Sequence, residues 1–380
     1  MKKYHYIFAG SGLSALMTVY QMVLSGKFKE KKILLLDADS KKNNDRTWCF
    51  WEKPNGDYEH LVYKKWNTAL FSDINFTRDL HLSPYQYKMI QGLDFYNPIF
   101  EVISNEQNIE FLSQKITHFT EENDGVLVET ETEKYSCDKL FNSILNPQEI
   151  VAQKEYPYLQ QHFIGWKIKT KEPVFDSEKA TFMDFSVTQK GNTRFMYVLP
   201  FSKTEALVEY TLFSKELLPE KEYENEIRDY FKKLGITNYE LIEKEQGAIP
   251  MTCYPFWKKN TKNVVNIGSA GGWTKASTGY TFRNASKKSK ELIAFLLTEN
   301  DFRKFHKKTR FWFYDLLLLD ILDRKNHIGS QIFSSMFRKG NPALIFKFLD
   351  EETSFIEDIR VISKCPKIPF LQALVKRIRI

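Results

Sequence analysis

Gly10-Ser11-Gly12-Leu13-Ser14-Ala15 follows an apolar run at residues 4–9 and opens a segment, residues 13–25, whose apolar side chains recur at helical spacing until Gly26 stops it. The hexapeptide has the form G-x-G-x-x-G/A. In that form the first glycine makes a tight turn and the second lets backbone amides approach a pyrophosphate at the positive end of a helix. A small third residue allows helix and sheet to pack closely. Lys32-Ile33-Leu34-Leu35-Leu36-Asp37 is then a continuous apolar run ending in an acid, the pattern of a strand buried on both faces of a parallel sheet. Strand, turn, helix and strand make a βαβ unit, and Asp37 stands where it can accept a hydrogen bond from an adenosine ribose. Gly10, Gly12, Ala15 and Asp37 are the first cofactor-binding candidates; the alternative is a purely structural glycine turn.

Farther along, residues 108–145 give an extended run, a turn at Asn123-Asp124-Gly125, alternation in Val126-Leu127-Val128-Glu129-Thr130 and a short run at Leu140-Phe141. This predicts a small antiparallel insertion in the parallel sheet. Residues 163–169, 181–187, 194–199 and 206–212 read as strands of a second, β-rich domain, and residues 223–234 read as a helix. Asn263-Val264-Val265-Asn266-Ile267-Gly268 returns to the buried-strand pattern. Gly268-Ser269-Ala270-Gly271-Gly272 and Ser277-Thr278-Gly279-Tyr280 then lead into a long helix from about 281 to 297. A pure NAD enzyme is not expected to need this second glycine-rich helix start, whereas the ribityl chain and diphosphate of a flavin commonly do. The spacing favours FAD and adds Gly268, Gly271 and Gly272 to the cofactor candidates, with plain turn glycines as the alternative. The expected fold is α/β. An FAD-binding Rossmann-like domain of the glutathione-reductase type comes from residues 1–150 and 260–300, a β-rich substrate domain from 151–259, and a C-terminal helical region from 301–380.

Composition narrows the function. A chain of 380 residues exceeds one compact core, and 42% hydrophobic with 27% charged residues is ordinary for a globular protein. Residues 301–380 hold 16 Lys and Arg against 9 Asp and Glu, which is the whole of the net +7, so the first 300 residues are electrically balanced. Nucleic acid is a poor partner for such a body. The four cysteines are far apart with no C-x-x-C, and the seven histidines form no H-x-x-H, so neither a disulfide framework nor a metal site is signalled. There is no secretory-type leader pattern. The longest apolar run, residues 311–322, contains Asp315 and Asp320 and is shorter than the roughly 18 residues a membrane span needs. A soluble or membrane-surface protein is expected.

Further stretches carry a resemblance. Asp45-Arg46-Thr47-Trp48-Cys49-Phe50-Trp51, Met196-Tyr197-Val198-Leu199-Pro200-Phe201-Ser202 with Leu207-Val208-Glu209-Tyr210-Thr211, and Gly247-Ala248-Ile249-Pro250-Met251 join the two glycine-rich motifs in order along the chain. Together with the tail through Phe348-Leu349-Asp350 to Pro369-Phe370, the sequence resembles the flavin-dependent lycopene cyclases, in the bacterial β-cyclase branch. That resemblance implies non-redox, acid/base closure of the ψ-ends of lycopene, or a related linear carotenoid, to β-ionone rings in carotenoid biosynthesis. It implies FAD in its reduced form, NADPH as the electron source, and a cytoplasmic enzyme lying on the anionic inner surface of the membrane that holds its substrate.

The chemistry asks for a dry site with a neutral acid and a stabilised cation. Glu209 matches the family's catalytic glutamate, and its apolar strand would raise its pKa by desolvation. From pattern alone it is equally an outward-facing acid sharing a face with Glu205. Trp48, Phe50 and Phe201 are the substrate-contacting candidates, with core anchoring as the other reading of the aromatics. The acidic string Asp350-Glu351-Glu352-Thr353 reads as helix caps rather than catalytic groups. Basic, apolar residues 370–380, with Lys304, Lys307, Lys308, Arg310, Arg338 and Lys339, read as a membrane-facing surface. Two other readings stay open: a flavoenzyme of the same fold acting as an NADPH-using monooxygenase or isoprenoid reductase, and a non-catalytic carotenoid-binding protein.

Overall fold

The protein was analysed as a computed structural model, which describes residues 1–378. The strand Lys2–Ala9 lies between two parallel neighbours, Ile33–Asp37 and Lys134–Asn142, and Ile109–Ser113 extends the sheet at one edge. The free edge of Lys134–Asn142 is shared: its end pairs in parallel with Val264–Asn266, while its beginning pairs antiparallel with Gly125–Thr130, which pairs in turn with Ile116–Glu122. The antiparallel insertion thus falls where the alternating residues place it. The buried run Ile33–Leu36 is covered on both faces, as its unbroken apolar pattern requires. Helices Leu13–Ser25 and Phe282–Leu296 pack on one another, and the hydroxyls of Thr18 and Ser289 meet at 3.0 Å between them.

A second sheet has the order Tyr239–Met251, Leu159–Thr170, Glu205–Ser214, Thr193–Pro200, Lys179–Asp184, Thr68–Ser72 and Thr77–His81. Its last two strands come from the stretch that sequence reasoning assigned to the cofactor domain. Ala69, Phe71 and Leu80 are fully buried there, in one core with Phe182 and Phe185. Thr68–Ser72 runs parallel to Lys179–Asp184, a pairing between distant segments that local pattern does not reveal. Between the two sheets, Thr47–Glu52, Gln86–Gln91 and Lys64–Trp66 form a three-stranded sheet.

Five helices close the chain: Arg310–Lys325, Gly329–Lys339, Pro342–Leu349, Phe355–Ile362 and Lys367–Ile378. Leu316, Leu319, Phe333, Phe337 and Phe346 join the core of the second sheet. None of the helices among the described residues is long and apolar enough to cross a membrane. The acidic string does structural work: Asp350 is the C-cap of Pro342–Leu349, its N–H bonded to the Phe346 carbonyl at 3.0 Å, and the side chains form ion pairs. Glu351 and Asp315 both accept from buried Lys275 at 2.9 Å. Asp350 faces Arg283 at 3.4 Å and Lys287 at 3.9 Å. Burial lifts the Asp350 carboxyl to about 6 against the pull of those two cations. The cap of the next helix is Ser354, in a reciprocal box with Glu357.

Candidate active site

One cavity of about 820 Å³ runs from the start of the helix Leu13–Ser25 into the space between the second sheet and the C-terminal helices. At its first end lie Gly12, Ser14, Gly268, Ser269 and Thr278. The helix begins at Gly12 with no side-chain cap and no acid in its first turn, so no side chain competes for its leading N–H groups, which offer an anion site. A Cβ at Gly12 would meet nothing within 4 Å, so the approach is open. Gly10 (φ +90°) makes the turn that precedes it, and a side chain there would collide with Ser143. Ala15 is fully buried beneath.

Asp37 ends its strand beside the glycine loop. Its carboxylate accepts from the Ser11 N–H at 2.6 Å and the Ser11 hydroxyl at 2.9 Å, and faces Lys41 at 3.6 Å, so here it braces the glycine loop. Gly271 and Gly272 shape the second turn and do not line the cavity; a Cβ on Gly271 would strike the Asn266 carbonyl, and Gly272 has φ +69°. Nearby, Gln161 Oε1, Ser277 Oγ and Thr278 Oγ1 are buried, line the cavity and have no hydrogen-bond partner within the chain. Buried polar atoms are rarely left so. An open helix N-terminus and three orphaned polar atoms fit a dinucleotide cofactor such as FAD.

At the other end stands Glu209, on a strand buried along nearly its whole length. Its side chain faces the cavity and the residue is 8% exposed, so the outward-facing alternative is excluded. Burial holds its carboxyl well above the usual range, and a neighbouring carboxyl on Glu245 pushes it the same way. Glu245 comes from the edge strand Tyr239–Met251, one strand farther over, and also lines the cavity. One of its oxygens accepts from the Thr47 hydroxyl at 2.9 Å and the other is buried without a partner. The two glutamates lie on either side of Gly165, which is in register with both. Close by, the Tyr87 hydroxyl meets those of Tyr197 and, at 2.8 Å, Tyr280. Burial keeps all three phenols protonated and raises the Cys49 thiol beside them.

The aromatic candidates divide. Trp48 lines the cavity, edge-on to Phe95 and Tyr96. Phe50 does not reach it: the ring stacks on Phe282 at 4.3 Å in the core of the first domain. Phe201 is also outside, packed on Tyr63 and under the Lys167 ammonium, in a small pocket next to Glu245. Trp48 and Phe50 share a face of their strand and both touch Phe282, but only Trp48 also reaches the cavity. Glu245, Gly165 and the tyrosine hydroxyls escaped sequence reasoning. Glu245 sits in Glu243-Lys244-Glu245, which reads as a solvated edge, and only its register with Gly165 reveals it.

The two-sheet architecture with its helical C-terminus is the α/β fold of FAD-dependent oxidoreductases and monooxygenases. A geranylgeranyl bacteriochlorophyll reductase-like protein from Thermoplasma acidophilum superimposes with a TM-score of 0.62 over 98% of each chain at 11% identity. A variant of the halogenase PltM in complex with FAD gives 0.58 over 91% of this chain and 78% of the other, also at 11%. Within that class, the model of the family described as Lycopene cyclase protein matches residues 6–375, and the chain belongs to this family. A lycopene beta-cyclase of Paracoccus sp. (strain N81106 / MBIC 01143) is 31% identical over 132 residues, 33% of this chain and 34% of that protein. The lycopene beta-cyclase of Pantoea ananas is 24% identical over 287 residues, covering 73% and 71%. The matched part thus spans about a third of the first relative and under three quarters of the second.

Proposed function

We propose that the protein is a lycopene β-cyclase, closing the ψ-ends of lycopene or a related linear carotenoid by acid/base chemistry without net oxidation. The observation that carries this reading is a buried Glu209, its carboxyl held well above the usual range, facing a cavity with an aromatic lining. Its O–H delivers a proton to the terminal double bond. An internal double bond then attacks the tertiary cation, a ring C–H gives up its proton, and the product is an isomer. Tyr87, Tyr197 and Trp48 present π systems that stabilise a cation and, unlike water, do not capture it. Protonated phenols are poor nucleophiles in the same sense.

The helix start at Gly12, with Gly10 and Ala15 shaping it, and Gly268 would hold the FAD diphosphate, with Gln161 and Thr278 offering polar atoms to the rest. Bound in reduced form, with NADPH as electron source, FAD would supply negative charge that favours the cationic transition state. Trp48 is the substrate contact we retain; Phe50 and Phe201 act through packing. We place the enzyme at the cytoplasmic surface of the inner membrane.

The test is expression in cells that accumulate lycopene, followed by pigment analysis. Wild-type protein should yield cyclised carotenoid, and Glu209→Gln should retain flavin absorbance while product falls at least about a hundredfold. Unchanged lycopene with the wild type ends this reading. Stoichiometric consumption of NADPH with substrate would replace it with a reductase or monooxygenase. Polyene binding without turnover would leave a binding protein.

A further inference from the structure

Two acids on strands that flank a common neighbour are normally kept apart by the side chain between them. Here that position is Gly165. A Cβ built on it would lie 2.8 Å from Glu209 Cγ and 3.1 Å from Glu245 Cγ, closer than real Cβ atoms comfortably come. The missing side chain is what lets the two carboxyls converge across the central strand Leu159–Thr170. Glu245 Oε1 is then buried with no donor, although Oε2 is satisfied by Thr47. A protonated Glu209, across Gly165, would supply that donor.

The surroundings contain no charge that would separate the pair. The groups facing it are the Cys49 thiol and Thr47 hydroxyl on Thr47–Glu52, Tyr87 on Gln86–Gln91, Tyr197 on Thr193–Pro200, and Tyr280. On the outer side are Glu243 and Lys167, and the Lys167 ammonium is engaged by Glu205 at 3.2 Å. Among the described residues no Lys, Arg or His is ion-paired with Glu209 or Glu245. Two buried carboxylates side by side resist ionising together and tend to hold one proton between them.

We propose that Glu209 and Glu245 work as a single proton-sharing pair held together across Gly165, with Glu245 as the positioning residue that keeps Glu209 charged with its proton and restores it. The proposal rests on the cyclase reading for its role in turnover and on geometry alone for its existence. Donation from Glu209 to the polyene leaves the pair with two negative charges beside a cation. That state favours the cation electrostatically and makes the pair a strong base. It takes back one proton from the ring C–H, whose electron pair becomes the ring double bond. One proton leaves and one returns, no electrons are exchanged, and the pair is reset without water.

The sign of the pH dependence follows. A raised carboxyl pKa means the acid form persists at neutral pH and activity is lost as pH rises. Removing the Glu245 charge and its hydrogen bond stabilises ionised Glu209, so the loss comes earlier. In the purified protein, infrared difference spectra of wild type against Glu209→Gln should show a protonated-carboxyl band at neutral pH without any substrate. In Glu245→Gln that band should titrate lower by about one pH unit or more, and the alkaline limb of cyclisation should move with it. Gly165→Ala, which keeps both acids but drives them apart, should move band and limb the same way. If either folded variant titrates like wild type, the pair is refuted. If the band moves while even wild type fails to cyclise lycopene, the pair stands and the assigned reaction falls.

Discussion

Phe50 and Trp48 sit two apart in one strand and sequence reasoning gave both the same role, yet their burial separates packing from chemistry. Phe50 is 2% exposed and stacked on Phe282, and it does not line the cavity. Phe50→Ala should lower unfolding free energy by about 3 to 5 kcal/mol, read from denaturant titration, through lost packing rather than lost substrate contact. The same measurement on Trp48→Phe should change little while product yield falls, because that ring lines the cavity. Equal stability loss in both would put Trp48 in the core too. At this scale the residues whose placement was readable were those restricted by backbone geometry, Gly10, Gly12 and Ala15 at the helix start, whereas Glu209 stood out through the family resemblance and not through its strand pattern. Glu245 carries the charge and neighbours of a solvent edge. Its meaning depends on Gly165, and nothing local to either residue indicates that the two meet.

Elements with a local pattern were legible for the same reason. Residues 13–25 and 223–234 have helical periodicity, and the strands Thr193–Pro200 and Glu205–Ser214 of the second sheet are mostly apolar. Tyr239–Met251 was not legible, because it is an edge strand whose first half is largely exposed and charged. Nor could the transfer of residues 68–81 to the second sheet be read, since that pairing is set by packing with distant strands. The tie between the glycine-rich segment and the C-terminal helices is likewise nonlocal. Lys275, 4% exposed at its side chain, holds Asp315 and Glu351 together. Lys275→Met leaves two facing acids uncompensated, one of them buried. It should cost about 3 kcal/mol or more, read as a lower denaturation midpoint, and adding Asp315→Leu should recover much of that. A neutral single substitution would show the helices are held by apolar packing alone.

The whole molecule spends part of its C-terminal charge surplus internally. Arg377, part of the basic tail in the sequence reading, lies 2.6 Å from Asp320. Arg310 lies 2.6 Å from Asp358, and Lys304 and Lys347 have acid partners as well. Residues 379–380, the end of that tail, lie outside the described residues. What the last two helices do present outward is apolar: Phe355, Ile356, Ile359, Ile368, Leu371, Val375 and Ile378 are all exposed, with Lys364, Lys367 and Lys376 also exposed. An apolar surface with basic side chains among it has the chemistry of a bilayer-binding face, which the proposed cyclase would need to reach its substrate. Insertion should therefore depend more on these side chains than on net charge. In a flotation experiment the protein should rise with vesicles containing anionic lipid and be only partly released by salt. Replacing Phe355 and Ile368 with Ser removes two inserted side chains, each contributing about 1.5 to 3 kcal/mol, so binding should weaken roughly a hundredfold or more while stability holds. Full release of the wild type by salt would assign the contact to charge, and wild-type protein remaining at the bottom of the gradient would remove the membrane from the account.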